Sequence, residues 1–438
     1  MPHRSSRGSC AVIKFFQCFV LQMRALWRTR VLPCTVLASA AVVLLAPGLA
    51  RGDGTADGER QVLVQLALGG VFALVAIVSL ITAAGAFADA RATRRLALTL
   101  TRPVPMCSVW LGKFAAIMLA AAVSLAAAFA VLFATVGGGG DCVRLVPPTL
   151  PSIAEEALSE YDRFMAAPDT PKEVKAQPKA AVVNELVKRM SERYDAVRPG
   201  EGCRWRFRFP SGAETVVARL RFSAEFDLRT PVSGTFALGG SEEAPAFAAV
   251  ITNLTRAVLD VPLERGAGAL PAPGDEVALS YVNTGDSAVM LRPRHDLFVL
   301  VPGDSAAANA VRTVVMLLVI LAALVALGLF FSSALSKNVS VFAAAVLIAV
   351  TLMAPSVLVQ FPTELGTNGL ERVGLAVSKV VLRATRAVGE LHPVGSFAAG
   401  ECVEWGEIGV AAARNALLFP LALMMLSAAV LRFRPPED

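Results

Sequence analysis

Charge is what this 438-residue chain has least of. Asp, Glu, Lys and Arg make up 17% of it, where a soluble protein carries about 25%. The deficit is concentrated in uncharged runs of about 20 residues, long enough to cross a bilayer as a helix. Histidine is scarce as well. His3, His295 and His392 stand far apart, with no HExxH pattern and no nucleophile elbow elsewhere. The seven cysteines form no CxxC pair and no Cys/His cluster at metal-ligand spacing. A phosphate-binding G-x-x-x-x-G-K-[ST] loop is also missing, since Gly112-Lys113 is followed by Phe114. These absences argue against an enzyme, a metal or other cofactor, and ATP hydrolysis by the chain itself.

A further absence concerns the apolar runs. Within their cores almost nothing ionises; Arg414, near an end, is the exception. Ion-coupled transporters usually carry the coupling ion on intramembrane charges, so energy supplied by a partner is the better expectation. The net charge of +6 then reports topology, with no nucleic acid as partner.

What is present predicts an α-helical polytopic membrane protein with an inserted extracytoplasmic α+β domain. Residues 1–30 hold six Lys/Arg and no acid, with Phe15, Phe16, Phe19, Val20, Met23, Leu26 and Trp27 at helical spacing. They read as a cytoplasmic amphipathic connecting helix on the membrane lipid surface. A rival reading takes the stretch from Met23 to Ala50 as a signal peptide. Six transmembrane helices are expected: 31–50, 62–87, 114–136, 313–335, 339–361 and 409–431. In the third, Ala116, Ala120, Ser124 and Ala128 form a small-residue stripe suited to close helix packing. Residues 371–391 read as an interfacial helix inside an extracytoplasmic 362–408 region, and 409–438 as the last span and its tail.

Residues 137–311 form the inserted domain. It opens with a helical hairpin, Ile153 to Ala166 and a second helix entered by Thr170-Pro171-Lys172-Glu173. Val182, Leu186, Met190, Tyr194 and Val197 make the apolar face of that second helix. From Cys203 the period becomes two. Trp205, Phe207 and Phe209 alternate with Arg204, Arg206 and Arg208, and alternation continues from Val216 to Leu228. With strand candidates at 233–238, 246–252, 276–283 and 288–301, an antiparallel β-sandwich or jelly roll follows. Trp205 and Phe207 admit two readings, a buried core or a platform for a glycan. A disulfide between Cys142 and Cys203 is a pairing that an oxidising compartment allows. Asn253-Leu254-Thr255 matches a glycosylation sequon.

Between the second and third spans lies Asp89–Lys113, with Arg91, Arg94, Arg95, Arg102 and Lys113 against a single acid. Placing the basic flanks in the cytoplasm puts both termini and this loop inside, and 137–311 outside. The basic helix 371–391 falls outside in the same scheme and does not fit it. Pro103 limits a helix at Arg102, so the loop can fold as two short helices at an angle.

The sequence LTLTRPVPMCSVWLGKF resembles the L-L-x-R-P-V-x-R…LGK segment after the second span of type-2 ABC transporter permeases. That similarity includes the subfamilies related to nitrous-oxide-reductase maturation and gliding-motility permeases. Arg102, Pro103, Val104, Leu111, Gly112 and Lys113 match as they stand. Pro105 and Met106 depart from the pattern, standing where a small or polar residue and a second Arg are usual. The basic amphipathic N-terminus and the closing region from Leu391 are similar to that family too. The resemblance implies a bacterial cytoplasmic (inner) membrane permease with a second permease subunit and a separate ABC ATP-binding subunit as partners. It places Arg94, Arg95, Arg102, Pro103, Gly112 and Lys113 in the ATPase-coupling loop. The plainer reading of these cations is that they only fix topology. Two function classes stand beside each other: an ABC permease serving export or an extracytoplasmic process, and a membrane-anchored binding protein for a glycan or protein ligand.

Overall fold

The structure is a computed structural model. It describes residues 6–50, 56–93, 105–136, 142–149, 153–166, a few positions between 179 and 187, 195–346 and 393–433. Within 195–346 it leaves out 210–215, 222, 225–231, 241–244, 255–257, 269, 273 and 292–296. The chain divides into two units, residues 1–141 with 304–438, and residues 142–303.

The first unit is helical. It comprises α1 (Ser6–Arg28), α2 (Val31–Leu49), α3 (Ala56–Ala92) and α4 (Met106–Val136). After α5 (Ile153–Ala166), which belongs to the other unit, come α6 (Ala306–Ala334), the short apolar α7 (Lys337–Val346) and α8 (Pro393–Ala398). The chain ends with α9 (Trp405–Ala411), a π-helical segment Ala412–Leu418, and α10 (Phe419–Phe433). Five helices are long and apolar enough to cross a membrane: Val31–Leu49, Gly58–Ala92, Met106–Val136, Ala306–Ala334 and Trp405–Leu431. The architecture is that of a polytopic membrane protein. Of the expected span 339–361 only residues 339–346, within the apolar α7, are described; the rest of it and the expected interfacial helix 371–391 lie outside the described residues.

α1 stays amphipathic and separate from α2 because Arg30 turns the chain with a φ of 59°, a left-handed conformation between the two helices. One face of α1 lies on α4, while Phe16 and Trp27 are left exposed. α6 is the most buried of the long helices. Gly328 brings it against α3: a Cβ there would stand 2.8 Å from the Ala83 Cβ. Near its start, the buried Asn309 donates from Nδ2 to the Glu401 carbonyl (2.8 Å) and accepts from the Val403 amide at Oδ1 (2.9 Å). Those two bonds fix the segment after α8. Val394 and Phe397 of α8 pack into the apolar cluster shared by α3, α4 and α6, with Phe397 edge-on to Phe129 at 5.6 Å.

The second unit is β-rich and all its pairings are antiparallel. The strands are β1 (Val143–Val146), β2 (Asp195–Val197), β3 (Gly202–Arg208), β4 (Val216–Arg221), β5 (Ser223–Ala224), β6 (Val232–Gly240), β7 (Pro245–Leu254), β8 (Val258–Arg265), β9 (Glu276–Asn283), β10 (Val289–Leu291) and β11 (Leu297–Pro302). Eight form one sheet in the order β1-β11-β4-β8-β7-β6-β9-β3, and β2-β10-β5 form another. Both contribute to a single core, with Val197 and Val289 of the small sheet beside Trp205, Phe236, Leu279 and Val299 of the large one. Asn283 ties the small sheet to β9, donating to the carbonyls of Val197 and Ser287 and accepting from the Gly285 amide.

Several expectations change here. Val197, read as the last apolar residue of a second helix, pairs with Val289 in a strand. The run 288–301 is two strands, and β1, β2 and β8 were not anticipated. The Cys142–Cys203 disulfide does not form. Cys203 remains a thiol in register with Tyr281, on the strand at one edge of the large sheet. Cys142 directly precedes β1, the strand at the opposite end of that order, and its carbonyl accepts from Gly303. Cys142 and Cys402 are both disulfide-bonded.

Tyr281 is 1% exposed, packs its ring tilted against Phe236 with centroids 4.7 Å apart, and lies so close to Gly234 that a Cβ there would meet its ring at 2.2 Å. Burial pushes its phenol up to about 12, above the ordinary value of about 10. The folded state therefore holds the proton more tightly than the unfolded chain. Its contribution to stability is complete below pH ~10 and is lost as pH rises through ~12. Thermal unfolding of the β unit should show an alkaline loss of stability over that window. Tyr281→Phe should remove that part of the pH dependence, and an unchanged profile would contradict the assignment.

Candidate functional site

The candidate site is the connection from α3 to α4 and the helix ends that hold it. α3 closes at Ala92, with Thr93 donating from its amide and its hydroxyl to the Asp89 carbonyl (3.1 and 2.8 Å). α4 begins after Pro105, whose carbonyl accepts from the Ser108 amide at 2.9 Å. Arg94, Arg95, Arg102 and Pro103 lie outside the described residues. Gly112 and Lys113 are described, and both face inward.

Gly112 is where α1 crosses α4. A Cβ at this position would stand 2.7 Å from the Cys18 Cβ and 3.0 Å from the Phe19 amide nitrogen. Only glycine lets two helix backbones approach this closely. Burial at the crossing raises the Cys18 thiol above its ordinary value, with Lys113 opposing. Lys113 points towards α3, where its ammonium donates to the Ala86 carbonyl at 2.5 Å and sits 5.1 Å above the Phe87 ring. The matching Gly-Lys pair is thus occupied in joining α1, α4 and α3.

Arg91 does the corresponding work at the end of α6. The last carbonyls of a helix have no partner within it. Arg91 donates from Nη1 to Ser333 (2.9 Å) and from Nη2 to Ser332 (2.8 Å) and Leu335 (2.5 Å). A cation at this end also complements the helix dipole. The Ser332 hydroxyl oxygen accepts in return from the Phe87 and Ala88 amides of α3 at 2.9 and 3.1 Å. Beside them Lys337 pairs with Asp89 at 3.0 Å, both about half-exposed, which is worth little in energy. The ends of α3, α4 and α6 are therefore tied together immediately next to 94–104.

Arg91 is one of five cations between Asp89 and Lys113, and nothing in the sequence sets it apart from the others. The usable signal was the Ser332-Ser333 pair at the end of a long apolar run, where terminal carbonyls need a donor. In the β unit Trp205 and Phe207 are buried while Arg204, Arg206 and Arg208 are exposed. The aromatic face is core, and no glycan platform is built from it. Among the described residues no group of His, Cys, Asp and Glu is arranged to hold a metal ion. Comparisons with family models, with curated proteins and with solved structures found no match.

Removing the Arg91 guanidinium leaves three helix-end carbonyls to find other donors, at a cost of about 2 kcal/mol for charged hydrogen bonds of this kind. Arg91→Ala should lower the unfolding temperature of the full chain in detergent. Arg91→Lys should recover only part of it, because a single ammonium cannot reproduce the planar fork. Full stability in Arg91→Ala would show that these contacts carry no weight.

Proposed function

We propose that the chain is the membrane-spanning permease subunit of a type-2 ABC transporter. In this reading ATP is hydrolysed by a separate subunit that docks on the cytoplasmic loop 89–113, and the work serves export or a process on the far side of the membrane. The single observation that carries the proposal is the R-P-V…L-G-K loop between two spans in a chain without an ATP site of its own. The geometry supports it. A push on 94–104 is delivered to α3 and α4 directly, and to α6 through Arg91 and Ser332. Arg94, Arg95 and Arg102 are the residues assigned to acidic groups of the partner.

The near absence of charge within the long apolar helices also favours a partner as the energy source. The finer features of the reading belong to the same proposal: a sixth span in 339–361, the β unit outside the cell membrane of a bacterium, both termini inside, and a second permease subunit.

The test is purification of the tagged full chain from its native membrane under mild detergent. An ATP-binding subunit should come with it in fixed proportion and hydrolyse ATP. Arg94→Glu, Arg95→Glu and Arg102→Glu should reduce that association or the ATPase rate by tenfold or more, each tenfold being about 1.4 kcal/mol. Absence of any ATP-binding partner, or an ATPase rate indifferent to all three reversals, would overturn the proposal.

A further inference from the structure

The last span is interrupted. Between α9 and α10 the residues Ala412–Leu418 form a π-helix, and the Phe419 amide donates to the Arg414 carbonyl five residues back. π-helical runs are rare and mostly a single turn, and they cluster at functional sites. The sequence supplies a cause. Pro420 has no N–H, and its ring crowds the carbonyl four residues before it, that of Ala416. A wider turn ahead of Pro420 relieves that contact.

The wider turn has a consequence at Asn415, in its middle. Asn415 is 1% exposed, and neither Nδ2 nor Oδ1 has a hydrogen-bond partner among the described residues. The helix around it packs against α6, with Ile408, Ala411, Ala412 and Ala416 against Met316 and Val319. A buried, unpaired carboxamide is costly, and most so at membrane depth. Of the other polar groups on these helices, Arg312 Nε of α6 is likewise buried without a partner, but its guanidinium pairs with Asp304 through Nη2. Ser427 donates to the Leu423 carbonyl, and Asn309 and Thr313 are fully engaged. Asn415 thus sits buried and unpaired in the π segment that directly precedes Phe419-Pro420.

We propose that this segment is a register switch. In one register it is π-helical with Asn415 buried in the seam with α6. In the other it is α-helical, Asn415 leaves the seam, and the chain beyond it turns by one residue, about 100°. The turn matters because α10 presents two different faces. Leu423 and Met424 are buried against residues of α3, α4 and α6, whereas Met425 is 64% exposed and Leu426 is 52% exposed. A one-residue slip takes Met424 out of the bundle and into the place of Met425. The last span can then change its packing without breaking in the middle.

The slip is read by electron paramagnetic resonance on the full chain in lipid nanodiscs, with the remaining thiols replaced by serine. Spin labels are placed singly at Leu423, Met424, Met425 and Leu426, and oxygen collision reports exposure to lipid. The wild-type background should give two components at position 424. Pro420→Ala, which restores the missing N–H, should give one component with the accessibility maximum moved from 425 to 424. Asn415→Leu removes the opposing amide and keeps the helix apolar. It should give one component with the maximum at 425, and it serves as the second variant if Pro420→Ala folds poorly. A single component in the wild-type background, or a maximum that stays at 425 in well-folded Pro420→Ala, overturns the switch.

Discussion

Backbone groups embedded in an apolar bundle must find partners within the protein, and the two ends of α6 show what this demands. At one end three carbonyls converge on the Arg91 guanidinium, and the Ser332 hydroxyl receives two amides of α3. At the other end the Asn309 carboxamide satisfies the Glu401 carbonyl and the Val403 amide together. With both ends held and Gly328 pressed on α3, α6 is the helix around which α3, α4, α8 and the last span are arranged. α3 ends at Ala92 beside one of these ends, where Arg91 and Ser332 join it to α6.

The division into apolar helices and a polar insert was legible because bilayer thickness sets the length of an uncharged run. The strands with strict alternation were legible for a similar reason: Trp205, Phe207, Leu279 and Tyr281 occupy every second position and are buried. What escaped was structure whose signal is shared between distant segments. β1, β2 and β8 are short or weakly alternating, and their pairing is set by the neighbours they meet. The pairing proposed for Cys142 and Cys203 failed because sequence proximity says nothing about strand order. The π segment needed a carbonyl, a proline ring and a buried amide to be considered together.

Of the R-P-V…L-G-K phrase, the L-G-K part is described in the structure. Gly112 and Lys113 belong to the matching phrase, yet each is spent on internal contacts, Gly112 on the α1 crossing and Lys113 on the α3 backbone. Their residue types are explained by packing alone. Under the proposed function, meeting a partner is assigned to the cations between them and Arg91, namely Arg94, Arg95 and Arg102.

Photo-crosslinking separates these two roles most directly. A photoreactive amino acid is placed at Arg95, Arg102 or Lys113 of the full chain in its native membrane. If Lys113 seats the loop and the arginines meet the partner, positions 95 and 102 form adducts with a separate ATP-binding polypeptide, and position 113 forms adducts only within the chain. An adduct with that polypeptide from position 113, and none from 95 or 102, would contradict it.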